Sequence, residues 1–458
     1  MGLKRFDYKL KDNSKKKSII VTSIIVLVLL VGITIYATYA EYKDTKTYNI
    51  IQGKVGEFIN GDIKISVVAI DPEGKETSIK EFPSYLEYNF LAEQSSCING
   101  STIEFDEIKW SATISSSGKD TCTLKFEQRS DKTLANAIKA NTVLIEDEPD
   151  FSVVATDANT NIYQAIDDLG DSYYFRGAPT NNYVQFGEYA TETTLNLFDY
   201  NSWGSKTVTV PAGTPMYWRI VRINGDGSIR LIYDGIELVA NGVAHTATIQ
   251  ATAYNTNRND AKYVGYTYDN SGTQTDSTIK GVIDAWYDKH LKTTYGSYIA
   301  DGIFCNDRSG ATTGEYGYIY YAPYDRLYTN KTPTLTCKNK ADRYTTSTEI
   351  GNGKLTDAEG NARPIGLLTA DEAIMAGGAT ASNMTYYLYS GEFYWTSAPY
   401  LFDDNFAYVW RVGNGGGVNS NYVSHGGSGA RPVINLKADT LIEGKGTIDS
   451  PYKLASQN

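Results

Sequence analysis

Apolar and polar residues alternate along Ile63-Lys64-Ile65-Ser66-Val67-Val68 and again over 85–91, the two-residue period of a half-buried strand. Asp71-Pro72-Glu73-Gly74 between them has turn chemistry. Alternation returns over Met216-Tyr217-Trp218-Arg219-Ile220-Val221-Arg222-Ile223 and Ser228-Ile229-Arg230-Leu231-Ile232-Tyr233. Asn224-Gly225-Asp226-Gly227 joins those runs, so they predict a β-hairpin. At 276–291 the period lengthens to that of a helix, with Ile279, Val282, Ile283 and Trp286 in one apolar stripe that reads as core. A shorter amphipathic helix is predicted over 131–141, with Leu134 and Ile138 inward and Asp131 as N-cap. Thr369-Ala370-Asp371-Glu372 has the spacing of a capping box, and Gly377-Gly378 ends the short helix it opens.

One run fits neither period. Residues 18–40 carry no charge, are filled mostly with Ile, Val and Leu, and follow seven basic and two acidic residues in 1–17. As a helix the run spans about 35 Å, enough to cross a hydrocarbon core. The basic flank predicts a cytoplasmic N-terminus and a single-pass cell-membrane anchor, with 41–458 extracellular. A cleaved signal peptide fits less well, because Thr38-Tyr39-Ala40 is a mediocre site and the apolar run is too long. The expected organisation is a basic tail at 1–17, the anchor at 18–40, a small β domain at 48–128, a helix and acidic linker at 129–150, and a large domain at 151–458. Glu146-Asp147-Glu148-Pro149-Asp150 marks the last boundary.

Charge and cysteine content sharpen this picture. The net charge is −11, and setting aside the basic tail leaves about −16 on the body, which excludes a nucleic-acid partner. The 37 tyrosines and 41 glycines favour short strands and aromatic-lined loops. Four cysteines allow three disulfide connectivities. Cys97–Cys122 and Cys305–Cys337 are expected, because each pair falls within one domain. No C-x-x-C spacing supports a metal, and no motif implies a cofactor.

The stretch 394–436 carries the expected function. Between Tyr394-Trp395-Thr396-Ser397 and Arg431-Pro432-Val433-Ile434-Asn435-Leu436 lies a run rich in rings and small polar groups. Its candidate ligand-binding residues are Tyr400, Phe402, Asp403, Asp404, Asn405, Tyr408, Trp410 and Arg411, then Asn414, Asn419, Asn421, Tyr422 and Ser424. Large amphipathic rings give contact area at low entropy cost, and small polar groups give adaptable hydrogen bonds.

The strings Gly366-Leu367-Leu368-Thr369-Ala370-Asp371-Glu372 to Ala376-Gly377-Gly378, Tyr386-Tyr387-Leu388, Tyr394-Trp395-Thr396-Ser397 and Arg431 to Leu436 resemble a group of surface proteins of gut Bacillota. The ending Gly444-Lys445-Gly446-Thr447 to Ser450-Pro451-Tyr452 is similar to theirs as well. The resemblance implies a C-type-lectin-like fold shared with formylglycine-generating enzymes and with the variable proteins of diversity-generating retroelements. It also implies a diversified binding face at 400–424. The expected class is therefore α+β: anchor helix, small disulfide-linked β domain, and a lectin-like head of twisted antiparallel strands, two helices and long loops.

Catalytic signals are weak. Of the three histidines, His290 lies at the end of a predicted helix, where a cation suits the dipole, His425 lies in the binding stretch, and His245 has no motif around it. No Gly-x-Ser-x-Gly elbow or phosphate-binding loop occurs. No cysteine follows Cys337, which separates the chain from formylglycine-generating activity, and the Glu-Pro-Asn and Trp-Asn-Asp motifs of calcium-dependent lectins are missing. Asp403-Asp404-Asn405 alone does not make a hard-cation site. The expected function is non-enzymatic binding of an extracellular protein or glycan, as an adhesin or receptor. The alternatives are a structural envelope component or a carboxylate-dependent hydrolase.

Overall fold

The computed structural model describes the backbone at 46–50 and 58–59, and residues 63–455 apart from 72–73, 81, 84–87, 107–110, 117, 129–132, 201, 242–245, 311, 315–316, 358 and 441. The chain forms two compact units divided at Gln128/Arg129.

In the smaller unit Ile63–Ile70 shows the predicted alternation, with Ile63, Ile65 and Val67 buried. It pairs parallel with Asp120–Gln128, which alternates in the same way and buries Cys122, Leu124 and Phe126. A second sheet joins Lys46–Ile50, Ser111–Ser116 and Thr102–Asp106, and its Ala112 and Ile114 complete the core. Cys97 and Cys122 face each other on paired strands and are disulfide-bonded, as expected.

The larger unit is built on two sheets. The helix α1 (Leu134–Ala140) starts after Thr133 and buries Leu134 and Ile138 in the main core. It leads into strand β1 (Val143–Ile145), so this segment belongs to the larger unit. The first sheet continues through β2 (Asn161–Asp167), β3 (Gly170–Phe175), β4 (Tyr183–Glu188), β7 (Pro215–Ile223) and β8 (Ile229–Gly235). The hairpin β5 (Thr193–Asp199) and β6 (Gly204–Val210) starts the second sheet.

The predicted hairpin is β7–β8, but β8 is buried along its whole length because the sheet is covered on both faces. Its loop is tight for a steric reason. A Cβ on Gly225 would overlap the backbone of Gly170 and Oδ1 of Asp167. The predicted core helix forms as α2 (Thr278–His290), capped by Ser277, with Ile279, Ile283 and Trp286 buried. The capping box forms in α3 (Ala370–Met375): Thr369 accepts from the Glu372 amide, and Glu372 accepts from Thr369. Strand β13 (Val433–Leu436) pairs with β8 and with the short β9 (Ile365–Gly366), and β14 (Tyr452–Leu454) pairs parallel with β4, matching Val184 to Tyr452. Cys305 and Cys337 form the second expected disulfide.

Two expectations are corrected. Among the described residues the chain is mostly β, with 41 % of them in strands and 14 % in helices, rather than an α+β protein with a two-helix head. Several of the helices are single turns, and most of the tyrosine-rich sequence between 158 and 210 is strand. The single-pass anchor, and the membrane location drawn from it, are not shown either. No helix among the described residues is long and apolar enough to cross a membrane, and 18–40 lies outside the described residues.

Candidate ligand-binding face

The stretch singled out in the sequence folds as a three-stranded meander: β10 (Tyr394–Phe402), β11 (Ala407–Val412) and β12 (Val418–Tyr422). The first six residues of β10 are buried, which anchors the meander to the core. Between β10 and β11, Asp403 Oδ1 accepts the amides of Asn405 and Phe406, leaving Asp404 at φ 69° and both Asp404 and Asn405 exposed. Between β11 and β12 a glycine-rich turn puts Asn414 at the surface, and a Cβ on Gly416 would strike the Asn383 carbonyl. Register pairs Tyr408 with Tyr422, Trp410 with Ser420 and Arg411 with Asn419. Alternation then places Tyr408, Trp410, Ser420 and Tyr422 on one side, and Arg411, Asn419 and Asn421 on the other.

On the first side Trp410 is only 1 % exposed, so its expected role as a contact residue is corrected. It is a core residue against which Tyr400 stands. Rings continue outward from Tyr400 to Tyr324 at 5.0 Å, then to Tyr320 at 4.5 Å and Tyr328 at 5.4 Å. Tyr328 ends the series, 53 % exposed. Tyr320, Tyr324 and Tyr328 were not among the expected site residues. The spacing of four between Tyr324 and Tyr328 was the available signal, since it stacks side chains along one face of a helical turn, while Tyr320 ends the short strand Ile319–Tyr320 just before that turn. Tyr400, Phe402, Tyr408 and Tyr422 are half-buried, each with ring surface available. Burial and then a hydrogen bond to Asp403 push the Tyr408 hydroxyl up to about 12, so it stays protonated as a donor.

On the second side Arg411 lies over Phe393 at 4.0 Å and donates from Nε to Asn419 Oδ1 at 2.9 Å. Arg258, which the sequence did not single out, stands against the Tyr422 side instead: it lies over Phe406 at 4.1 Å and Tyr422 at 4.9 Å and reaches Ser424. Asn421 accepts the amide of Tyr422, the next residue.

Charge concentrates elsewhere, around a cavity of about 30 Å³, room for little more than water. Its Arg222 meets Asp167 and Glu372, Arg230 meets Glu372 at 2.6 Å, and Arg326 bridges Asp307 and Asp371. Burial would raise Glu372, but Arg230 and Arg222 hold it below the usual carboxylate range. This is a paired internal lock, with its carboxylates already engaged. His290 is buried and accepts the Ala190 amide at Nδ1, and burial pushes it down to about 4. It is therefore a neutral packing residue, not the helix-end cation expected. His245 lies outside the described residues. Cys97, Asp120 and Cys122 lie close enough to suggest a metal, but both sulfurs are in the disulfide and Asp120 accepts backbone amides of Asn99, Ser101 and Thr121. No protein-family model, characterised protein or solved structure matches the chain.

Proposed function

We propose that this is a binding protein whose meander, together with the turn carrying Tyr320, Tyr324 and Tyr328, engages a protein or glycan ligand. The observation that carries this reading is the unbroken series of rings from exposed Tyr328 through Tyr324 and Tyr400 to buried Trp410. A rigid base holding partly exposed tyrosines gives contact area without ordering cost on binding. Catalysis is the weaker reading, because Asp167, Glu372 and Asp371, the carboxylates around the internal cavity, are already paired to arginines.

The test is binding of the full chain to protein and glycan arrays, compared with a Tyr324→Ala/Tyr328→Ala/Tyr400→Ala variant. Loss of the array signal with unchanged near-UV circular dichroism is expected. Retained signal would reject this face.

A further inference from the structure

The larger unit has a second concave site that shares no residue with the meander or the tyrosine turn. It is an open groove of about 420 Å³, bounded by α1, the start of β3, the β7–β8 turn and the turn that follows β13. A space of that size suits a small organic molecule. The β7–β8 turn keeps one side of it bare. Gly225 has no room for a Cβ against Gly170 and Asp167, and Gly227 is held at φ 83°, where a side chain is disfavoured.

Three charged side chains line this groove: Lys139 from α1, Asp171 from β3 and Asp439 beyond β13. All are exposed, and Lys139 is more than 4.0 Å from either carboxylate, so opposite charges face one space without closing on each other. Asn224 adds a buried acceptor. It is 5 % exposed, its Nδ2 donates to Ser228 Oγ and Asn435 Oδ1, and its Oδ1 has no hydrogen-bond partner among the described residues. Asn224 also borders the internal charged cavity. Asn435, which accepts from Arg230 of that cavity, lies on the Nδ2 side, and Oδ1 is on the other arm of the amide. A buried acceptor without a donor is costly, and the groove is where a donor can reach this one.

We infer that the groove binds a small zwitterion of the amino-acid type, a free α-amino acid or a dipeptide, with its ammonium toward Asp171, Asp439 and Asn224 Oδ1 and its carboxylate toward Lys139. An ammonium carries three N–H donors and the groove offers three such acceptors, two of them charged. Ala135, Ile223 and Ala438 give apolar surface for an aliphatic side chain. Other occupants fit less well. A phosphate would meet two carboxylates for one ammonium. A bare cation needs its oxygens at about 2.3–2.6 Å, and the space is far too wide for that. A saccharide lacks a stacking ring, because no aromatic residue lines the groove and Lys139 lies over the Tyr173 ring at 4.3 Å.

The test is isothermal titration calorimetry of the full chain with leucine, alanyl-leucine, N-acetyl-leucine, leucinamide and maltose. Leucine or alanyl-leucine is expected to bind, and the tighter of the two shows whether one residue or two fill the groove. N-acetyl-leucine, which has no ammonium, and leucinamide, which has no carboxylate, should each bind about tenfold more weakly, the scale of one lost hydrogen bond to a charged group. Asp171→Asn and Asp439→Asn should each weaken the zwitterion by a similar factor. Lys139→Gln should do the same but leave leucinamide unchanged, which a merely structural loss would not. All three positions are exposed, so the near-UV spectrum should not change. No binding of either zwitterion, equal binding of N-acetyl-leucine or maltose, or affinity unchanged in the variants would each overturn the inference.

Discussion

Tyr400 stands edge-on to Trp410, with ring centroids 4.8 Å apart and planes at 89°. The pair joins the core to the surface, and the two residues should respond differently to removal. Trp410→Ala is expected to destabilise the larger unit by about 3–5 kcal/mol, as for other large buried aromatics. Tyr328→Ala, at the exposed end of the series, should change stability by less than about 0.5 kcal/mol. Urea unfolding of both variants checks this, and a mild Trp410→Ala would show that the indole is not a core residue.

Glu372 closes the capping box and also receives Arg222 and Arg230. Glu372→Gln should cost about 3–5 kcal/mol, because it leaves two buried guanidiniums without their shared anion. The pH dependence follows from the lowered carboxyl. Its stabilisation is complete above the unfolded value of about 4.3 and is lost as pH falls through the lower folded value. Acid titration of the parent chain and variant should therefore diverge above that range and converge below it.

His290 works over a higher window. With its pKa lowered from 6.5 to about 4, the folded state disfavours the proton that the unfolded chain accepts. Stability is full above 6.5 and declines as pH falls toward 4. Glu392, which burial raises to about 7, acts in the opposite sense, so the comparison must be with His290→Gln. The difference in melting temperature between the two proteins should slope with pH between 6.5 and 4 and be flat above it.

Each unit holds one disulfide. Replacing Cys97 and Cys122 by Ala should cost the smaller unit about 3–4 kcal/mol by the loop-entropy relation. Ligand binding by the larger unit should not change. Differential scanning calorimetry with a binding assay separates the two effects, and a binding defect in this variant would contradict the assignment of the site to the meander.

Local rules carried the sequence reading a fair distance. The capping box at Thr369 and Glu372, the α2 stripe and the β7–β8 hairpin follow from spacing that neighbouring residues enforce, and both cysteine pairings follow from the boundary between the two units. What spacing does not hold is what arrives from far along the chain. Nothing near Glu372 announces Arg222 or Arg230. Trp410 reads as a surface ring because it lies within a long run rich in Asn, Asp, Ser and Gly, yet Tyr400 and the strands around it cover it. The fold class slipped for a related reason: the head was expected to hold long loops, whereas its polar, threonine- and tyrosine-rich segments between 158 and 210 pair as strands. Tyr324 and Tyr328 show their spacing but not the β10 residue they would meet.

Val184 finds its outer neighbour only when Tyr452 arrives. During synthesis, strand β4 must wait on that side while nearly all the intervening chain is made, and contacts so distant in sequence form slowly. A ribosome-stalled nascent chain ending before β14 should therefore remain sensitive to protease across the larger unit. The smaller unit, whose paired strands all precede residue 129, can become resistant much earlier.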